Sequence, residues 1–108
     1  MDAFEALDGR GGAAREIGRQ YLRSATSIGA NYAEAAAGQT KADFIAKVAI
    51  ARKECREALF WLRLMQDKSM LPSGRVTEDL VEATQLAAIL TAIIRKARAS
   101  SARGEGKP

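Results

Sequence analysis

Residues 44–65 read FIAKVAIARKECREALFWLRLM, and apolar or small side chains recur in this stretch in alternating steps of four and three. The series consists of Phe44, Val48, Ala51, Cys55, Ala58, Leu62 and Met65. This spacing aligns the side chains along one face of a helix and predicts that this face is buried. The preceding residues 40–43, TKAD, resemble a capping box, and residues 71–74, LPSG, form a turn signal. We therefore expect a helix over residues 41–69.

The same spacing recurs on both sides of this helix. Before it the series is Ile17, Tyr21, Ser24, Ile28, Asn31 and Ala35. After it the series is Leu80, Ala83, Ala87, Leu90, Ile94 and Ala97. We expect helices over residues 13–37 and 78–99, the second with Thr77 as N-cap and with Val76 and Val81 as a hydrophobic staple.

Short loops between long helices make neighbours antiparallel. The sequence therefore predicts an all-α, antiparallel up-down bundle of three long helices, with the domain at residues 13–99. A short N-terminal stub over residues 1–12 precedes the domain, and a disordered basic tail over residues 100–108 follows it.

The composition excludes most catalytic chemistry. With no histidine and one cysteine in 108 residues, the chain cannot form a Ser-His-Asp or Cys-His nucleophile system, a His/Cys zinc site or an internal disulfide. Glu54 and Glu57 form an i, i+3 carboxylate pair, but no second acidic motif on another helix completes a metal site. We expect no catalytic residue, metal or cofactor, and hence no enzyme. Cys55 is expected to be a small buried residue in a reducing cytoplasm, and no apolar run is long enough to span a bilayer.

The chain has a net charge of +4, with basic residues in rows on the first two helices and in excess at the C-terminal end. The candidates for contact with nucleic-acid phosphates are Arg15, Arg19, Arg23, Arg52, Arg56, Arg63, Arg95, Lys96 and Arg98. For the arginines of the first two helices, two interpretations remain open: a solvated face relieved by acids such as Glu16, or sequence-indifferent, salt-dependent binding of RNA or DNA. For Arg95, Lys96 and Arg98, the alternative to such binding is that they complement the dipole at the end of the last helix. No exposed aromatic row accompanies these residues, so a base-stacking platform is not predicted. The rival hypothesis is a protein-interaction scaffold without a nucleic-acid role.

Apolar residues outside the helical series predict self-association. Ile50, Phe60, Trp61 and Leu64 lie opposite the apolar series of the second helix and are candidates for an oligomer interface. A monomer rarely exposes a large apolar patch. We expect another helix or another subunit to cover these side chains.

Residues 24–31, SATSIGAN, combine small and polar side chains, which allow another helix to approach closely. Asn31 falls within the apolar series, where an unpaired amide is costly. We expect it to bond to a helix end or a loop and to fix the register of packing. Glu34 could pair with Asn31, cap a neighbouring segment or be solvated, and the sequence leaves these alternatives open.

Three segments resemble the 23S rRNA-intervening sequence proteins, a family of small bacterial four-helix-bundle proteins. They are residues 22–35 (LRSATSIGANYAEA), 42–51 (ADFIAKVAIA) and 57–62 (EALFWL). The resemblance covers about residues 17–99, and residues 27–31, SIGAN, are its most specific part. It implies structural roles for Ser27, Gly29, Asn31 and Glu34.

The resemblance also implies a four-helix protomer, assembled as a ring-shaped homopentamer with basic surfaces. The accessory variability protein of diversity-generating retroelements looks like a relative, and nucleic-acid binding is attributed to that protein. The family's first long helix should precede Arg19. We expect it to be missing or shortened in this chain.

Overall fold

Three helices account for nearly all of the residues that the structure, a computed structural model, describes: residues 3, 11–38, 40–71 and 73–102. They are α1 (Gly12–Ala36), α2 (Lys41–Asp67) and α3 (Ser73–Ala102). Consecutive helices are antiparallel, and these residues contain no strand. The predicted all-α, antiparallel arrangement of three long helices is confirmed.

The core lies where α1 and α3 both pack against α2, and α1 and α3 make far less contact with each other. Six of the seven residues in the predicted series of α2 are buried, from Val48 to Met65, and Phe44 is half-buried. The facing residues of the other helices include Tyr21, Ile28, Leu90 and Ile94, all buried. Burial of these side chains supplies the main driving force for folding.

Both ends of α2 carry defined capping geometry. Thr40 is extended at the N-cap, and its Oγ1 accepts a hydrogen bond of 3.0 Å from the backbone N–H of Asp43. At the other end, the N–H groups of Ser69 and Met70 donate to the carbonyls of Gln66 and Met65, both at 3.0 Å. This pair of bonds is a Schellman motif, with Ser69 in the left-handed region at φ 50°.

The start of α3 differs from the prediction. The helix begins at Ser73 rather than at residue 78, so Thr77 lies inside it and is not an N-cap. Val81 is 50% exposed while Val76 is fully buried, so the predicted staple between them is wrong. The early start of α3 has a physical reason. Val76 packs in the core, so the helix that carries Val76 must begin before it.

The end of α3 also extends further than predicted. It continues through Ala102, so residues 100–102 of the expected tail are helical. No glycine or proline interrupts the chain before Gly104, which lets the helix propagate. Residues 103–108 of the tail and, apart from Ala3, residues 1–10 of the stub lie outside the described residues.

Among the described helices, none has an apolar stretch of the length that crossing a bilayer requires.

Candidate nucleic-acid interface

The basic residues between α1 and α2 are neutralised by acids. Arg23 of α1 bonds to Glu57 of α2, and its guanidinium also lies 3.4 Å from the carboxylate of Glu54. The hydrogen bond from Arg23 lowers the pKa of the Glu57 carboxyl. Near the other end of the helix pair, Lys47 Nζ lies 2.8 Å from Glu34 Oε2, and that hydrogen bond raises the pKa of Lys47. These contacts pair the helices but leave little uncompensated charge along this edge.

At the edge between α2 and α3, by contrast, the arginines are not paired with any acid that the structure describes. Arg52, Arg56 and Arg63 share one side of α2 by their spacing, and Arg95 and Arg98 share one side of α3. Within the described residues, no carboxylate lies within 4 Å of any of these five guanidinium groups. We call them the basic face.

Arg56 and Arg95 meet at one concavity of the basic face. It has a volume of about 510 Å³, and its remaining walls come from Ala87, Ala88, Thr91 and Ala92 of α3. The small alanine side chains leave space between the two exposed arginines. Two positive groups and one hydroxyl therefore surround an open site that could take an anion.

The other predicted phosphate contacts lie elsewhere. Arg15, Arg19 and Arg23 are exposed on α1 and do not line the concavity of Arg56 and Arg95. Lys96 lines a different concavity, together with Lys41, Phe44 and Ile93. Of the nine candidates, the structure brings Arg56 and Arg95 to one concavity, while Arg52, Arg63 and Arg98 are grouped with them by helical spacing alone.

The residues that the family resemblance points to make contacts within α1 or with the adjacent α2, or face open space. Asn31 is half-buried, and its Nδ2 donates to the carbonyl of Ser27 at 2.9 Å. The prediction that Asn31 is hydrogen-bonded is confirmed, but its partner lies on its own helix and not at a helix end or loop. Glu34 is exposed and also pairs with Lys47. An added Cβ at Gly29 would meet no atom within 4 Å, so this position faces open space.

A buried polar contact between α1 and α3 was not predicted. Tyr21 donates its hydroxyl proton to Asp79 Oδ2 at 3.3 Å, and the backbone N–H of Ala3 donates to the same oxygen at 3.2 Å. Asp79 is 6% exposed. The spacing of the sequence could have predicted that Asp79 is buried. Asp79 lies three residues after Val76 and four before Ala83, on the apolar side of α3.

An apolar groove opens between α1 and α3 on the side away from α2. It has a volume of about 340 Å³. Its lining consists of Ala25, Ile28, Gly29, Tyr32, Leu86, Ile89, Leu90 and Ile93. Tyr32 is 43% exposed and Ile89 is 55% exposed, so the groove is open to solvent.

The four predicted interface residues of α2 differ in how far their side chains are exposed to solvent. Ile50 and Phe60 are 40% and 57% exposed. Trp61 and Leu64 are half-buried, and Trp61 packs against the core. The rings of Phe60 and Trp61 meet edge to face, with centroids 5.0 Å apart. We call Ile50, Phe60 and Leu64 the outer face of α2.

Cys55 is buried in the core, and its Sγ donates to the carbonyl of Ala83 at 3.2 Å. Burial raises the pKa of this thiol, which disfavours the reactive thiolate. Over the described part of the chain, no cluster of three or more Cys, Asp or Glu side chains could hold a metal ion.

Comparison with protein families matches residues 12–92 to the family described as 23S rRNA-intervening sequence protein. The chain belongs to this family. The match contains the paired α1–α2 edge and all of the basic face except Arg95 and Arg98. The resemblance drawn from residues 22–35, 42–51 and 57–62 is thereby confirmed.

A solved structure shows the same fold. It is the 1.70 Å crystal structure of a protein of unknown function, from the S23 ribosomal protein family of Bacteroides thetaiotaomicron VPI-5482. The sequences are 33% identical, the match covers 84% of this chain and 83% of that one, and the TM-score is 0.77. A search of curated proteins finds no match.

Proposed function

We propose that this 23S rRNA-intervening sequence family member is a non-enzymatic, self-associating helical-bundle protein that binds RNA or DNA through phosphate contacts. The observation that carries the proposal is the division of charge between the two edges of α2. Acids on α1 and α2 compensate Arg23 and Lys47. The arginines of the basic face have no such partner among the described residues.

Arginine suits this role because its planar guanidinium can donate two parallel hydrogen bonds to a phosphate and stays charged at any physiological pH. Arg56 and Arg95 approach one concavity from two different helices, so a phosphate there can receive donors from both. Phe60 is exposed one helical turn after Arg56, but no row of aromatic side chains for base stacking follows the basic face among the described residues. Binding should therefore position a nucleic-acid backbone without reading its sequence.

Self-association is supported by the apolar groove and by the outer face of α2, which both lie exposed on one protomer. The family resemblance favours a homo-oligomer, and a pentamer in particular. We place the protein in the cytoplasm, where RNA and DNA are accessible and where a buried free thiol such as Cys55 stays reduced.

A filter-binding titration tests the nucleic-acid part of this proposal. Random-sequence duplex DNA and RNA are titrated at about 50 mM and about 200 mM salt. If all five arginines of the basic face contact phosphates, affinity for DNA should fall about 500-fold between the two conditions. The affinity should also be equal for unrelated sequences. Absence of binding, or binding that salt does not weaken, would favour the alternative of a protein-interaction scaffold.

A further inference from the structure

We propose that the apolar groove between α1 and α3 binds the chain of a free acyl carboxylate, and that Lys41 and Lys96 hold its anionic head group. This inference goes beyond the proposed function, because it requires neither a nucleic acid nor a second copy of the protein. It rests on the way in which the groove continues into a second concavity at one end of the bundle.

The two concavities adjoin each other on α3. Ile93 lines the groove and also the second concavity, which has a volume of about 260 Å³ and which we call the lysine pocket. The other residues of the lysine pocket are Lys41, Phe44, Lys96, Ala97 and Ser100. One row on α3, in steps of three and four, runs through both concavities: Leu86, Ile89, Ile93, Lys96 and Ser100. The row is apolar in the groove and polar beyond it.

The groove suits an unbranched apolar chain. Its lining contains no charged side chain, and Tyr32 supplies the only hydroxyl group. Its volume of about 340 Å³ lies in the range of small-molecule sites, which are mostly apolar with a few polar groups. Leu86 and Lys96 are ten residues apart, which corresponds to about 15 Å along α3. An apolar chain lying along this distance would leave water together with the exposed side chain of Ile89.

The lysine pocket suits a single anionic head group. Lys41 begins α2 and Lys96 lies near the end of α3, so two ammonium groups come to one concavity from different helices. Neither of them has an ionic partner among the described residues. Asp43, the nearest acid in the sequence, does not line the pocket. An anion between the two ammonium groups relieves their mutual repulsion, and the hydroxyl of Ser100 can donate to the same anion.

The surroundings of this pocket favour an acyl carboxylate over the phosphates of a nucleic acid. The concavity of Arg56 and Arg95 shares no residue with the lysine pocket. The lysine pocket adjoins the groove, whose lining offers no cation for a second phosphate. A ligand that fills both concavities therefore has one charged end and an apolar remainder.

Isothermal titration calorimetry with dodecanoate tests the site. The wild-type protein should bind one dodecanoate per chain. Octanoate should bind more weakly, by up to about fourfold for each methylene removed, because each methylene in the groove is withdrawn from water. Dodecanol has the same chain without the charge, so it should bind more weakly than dodecanoate.

Two variants separate the head site from the groove. Lys41→Gln combined with Lys96→Gln should weaken the binding of dodecanoate about tenfold or more and leave the affinity for dodecanol unchanged. Ile89→Glu, at a residue that is 55% exposed, places a charge in the groove and should abolish binding of both ligands. Lys53→Gln and Val81→Glu are matched controls at exposed positions outside both concavities, and they should bind as the wild type does. Circular dichroism verifies that each variant folds.

Three results would overturn the inference. The first is a wild-type protein that does not bind dodecanoate, including the case in which a second copy or another segment of the chain already fills the groove. The second is an equal loss of affinity in Lys53→Gln, because binding would then follow net charge. The third is binding to phosphatidylglycerol vesicles without binding of free dodecanoate, which would indicate a membrane surface as the partner. None of these results concerns the salt dependence of DNA binding, which tests the proposed function separately.

Discussion

Among the described residues, Ser69 is the one whose backbone least suits its side chain. It occupies the left-handed region at φ 50°, where its N–H donates to Gln66 and closes the end of α2. A non-glycine residue in this region is strained by about 1 to 2 kcal/mol, whereas glycine adopts it freely but loses more entropy on folding. We expect Ser69→Gly to raise the free energy of unfolding by about 0.5 to 1 kcal/mol in urea denaturation. Ser69→Ala is the control, and an equal gain from alanine would show that backbone strain is not the cause.

Tyr21 holds α1 to α3 through its bond to the buried Asp79. Removing the hydroxyl leaves a buried carboxylate with one donor fewer, and a hydrogen bond to a charged group contributes about 1.5 to 3 kcal/mol. At 3.3 Å this bond should be at the lower end of that range. We expect Tyr21→Phe to lower the free energy of unfolding by about 1 to 2 kcal/mol, measured by urea denaturation. Tyr32→Phe, at an exposed position, should have no effect, and equal losses from both variants would contradict the role of Asp79.

Individual residues show what spacing can and cannot predict. Spacing identified the burial of Tyr21, Ser24 and Ile28, because a helix repeats every 3.6 residues whatever its surroundings. It could not identify the partners of Arg23 or Glu34. Those partners lie on α2, and side-chain reach across two helices depends on their rotation and crossing, which a single sequence does not contain.

At the scale of the helices, α2 was the most predictable element. Its N-cap at Thr40 was marked by local chemistry, and the helix ends within two residues of the prediction, although residues 73–74 of the expected turn signal belong to α3. The start of α3 was not predictable in this way, because Thr77 is as good a capping residue as any in the turn. The burial of Val76 against the rest of the core decided the boundary, and tertiary packing overrode the local signal.

The Arg23–Glu57 bond makes the packing of α1 on α2 dependent on pH. Because Arg23 lowers the folded-state pKa of Glu57, the carboxylate stabilises the fold above its unfolded pKa of about 4.3. This contribution is lost as the pH falls through the lower, folded pKa. The gap in unfolding free energy between wild type and Glu57→Gln should therefore be constant above about pH 6 and shrink towards about pH 3.

Chemical denaturation at a series of pH values measures this gap. Glu82→Gln is the control for charge, since it removes an exposed carboxylate that has no ionic partner among the described residues. A gap for Glu57→Gln that does not change with pH would show that the ion pair does not stabilise the fold.

On the scale of the whole molecule, three surfaces surround one small core: the basic face, the apolar groove and the outer face of α2. The sequence predicted the rows of arginines and an excess of apolar surface. It did not separate the compensated Arg23 on α1 from the uncompensated row on α2, because Glu54 and Glu57 lie on the α1 side of α2 only once the helices are packed. It also did not predict the groove, which exists because α1 and α3 both pack on α2 and far less on each other.

The salt dependence of DNA binding, compared between two triple variants, tests the nucleic-acid proposal most directly. Arg52, Arg56 and Arg63→Gln removes three members of the basic face, while Arg15, Arg19 and Arg23→Gln removes the same charge from α1. If the basic face binds phosphates, the first variant should flatten the slope of log affinity against log salt by up to about 2.7. The second should flatten the slope less, because Arg23 is already paired with Glu57. Equal slopes in the two variants, with helix content preserved in both, would contradict binding through the basic face.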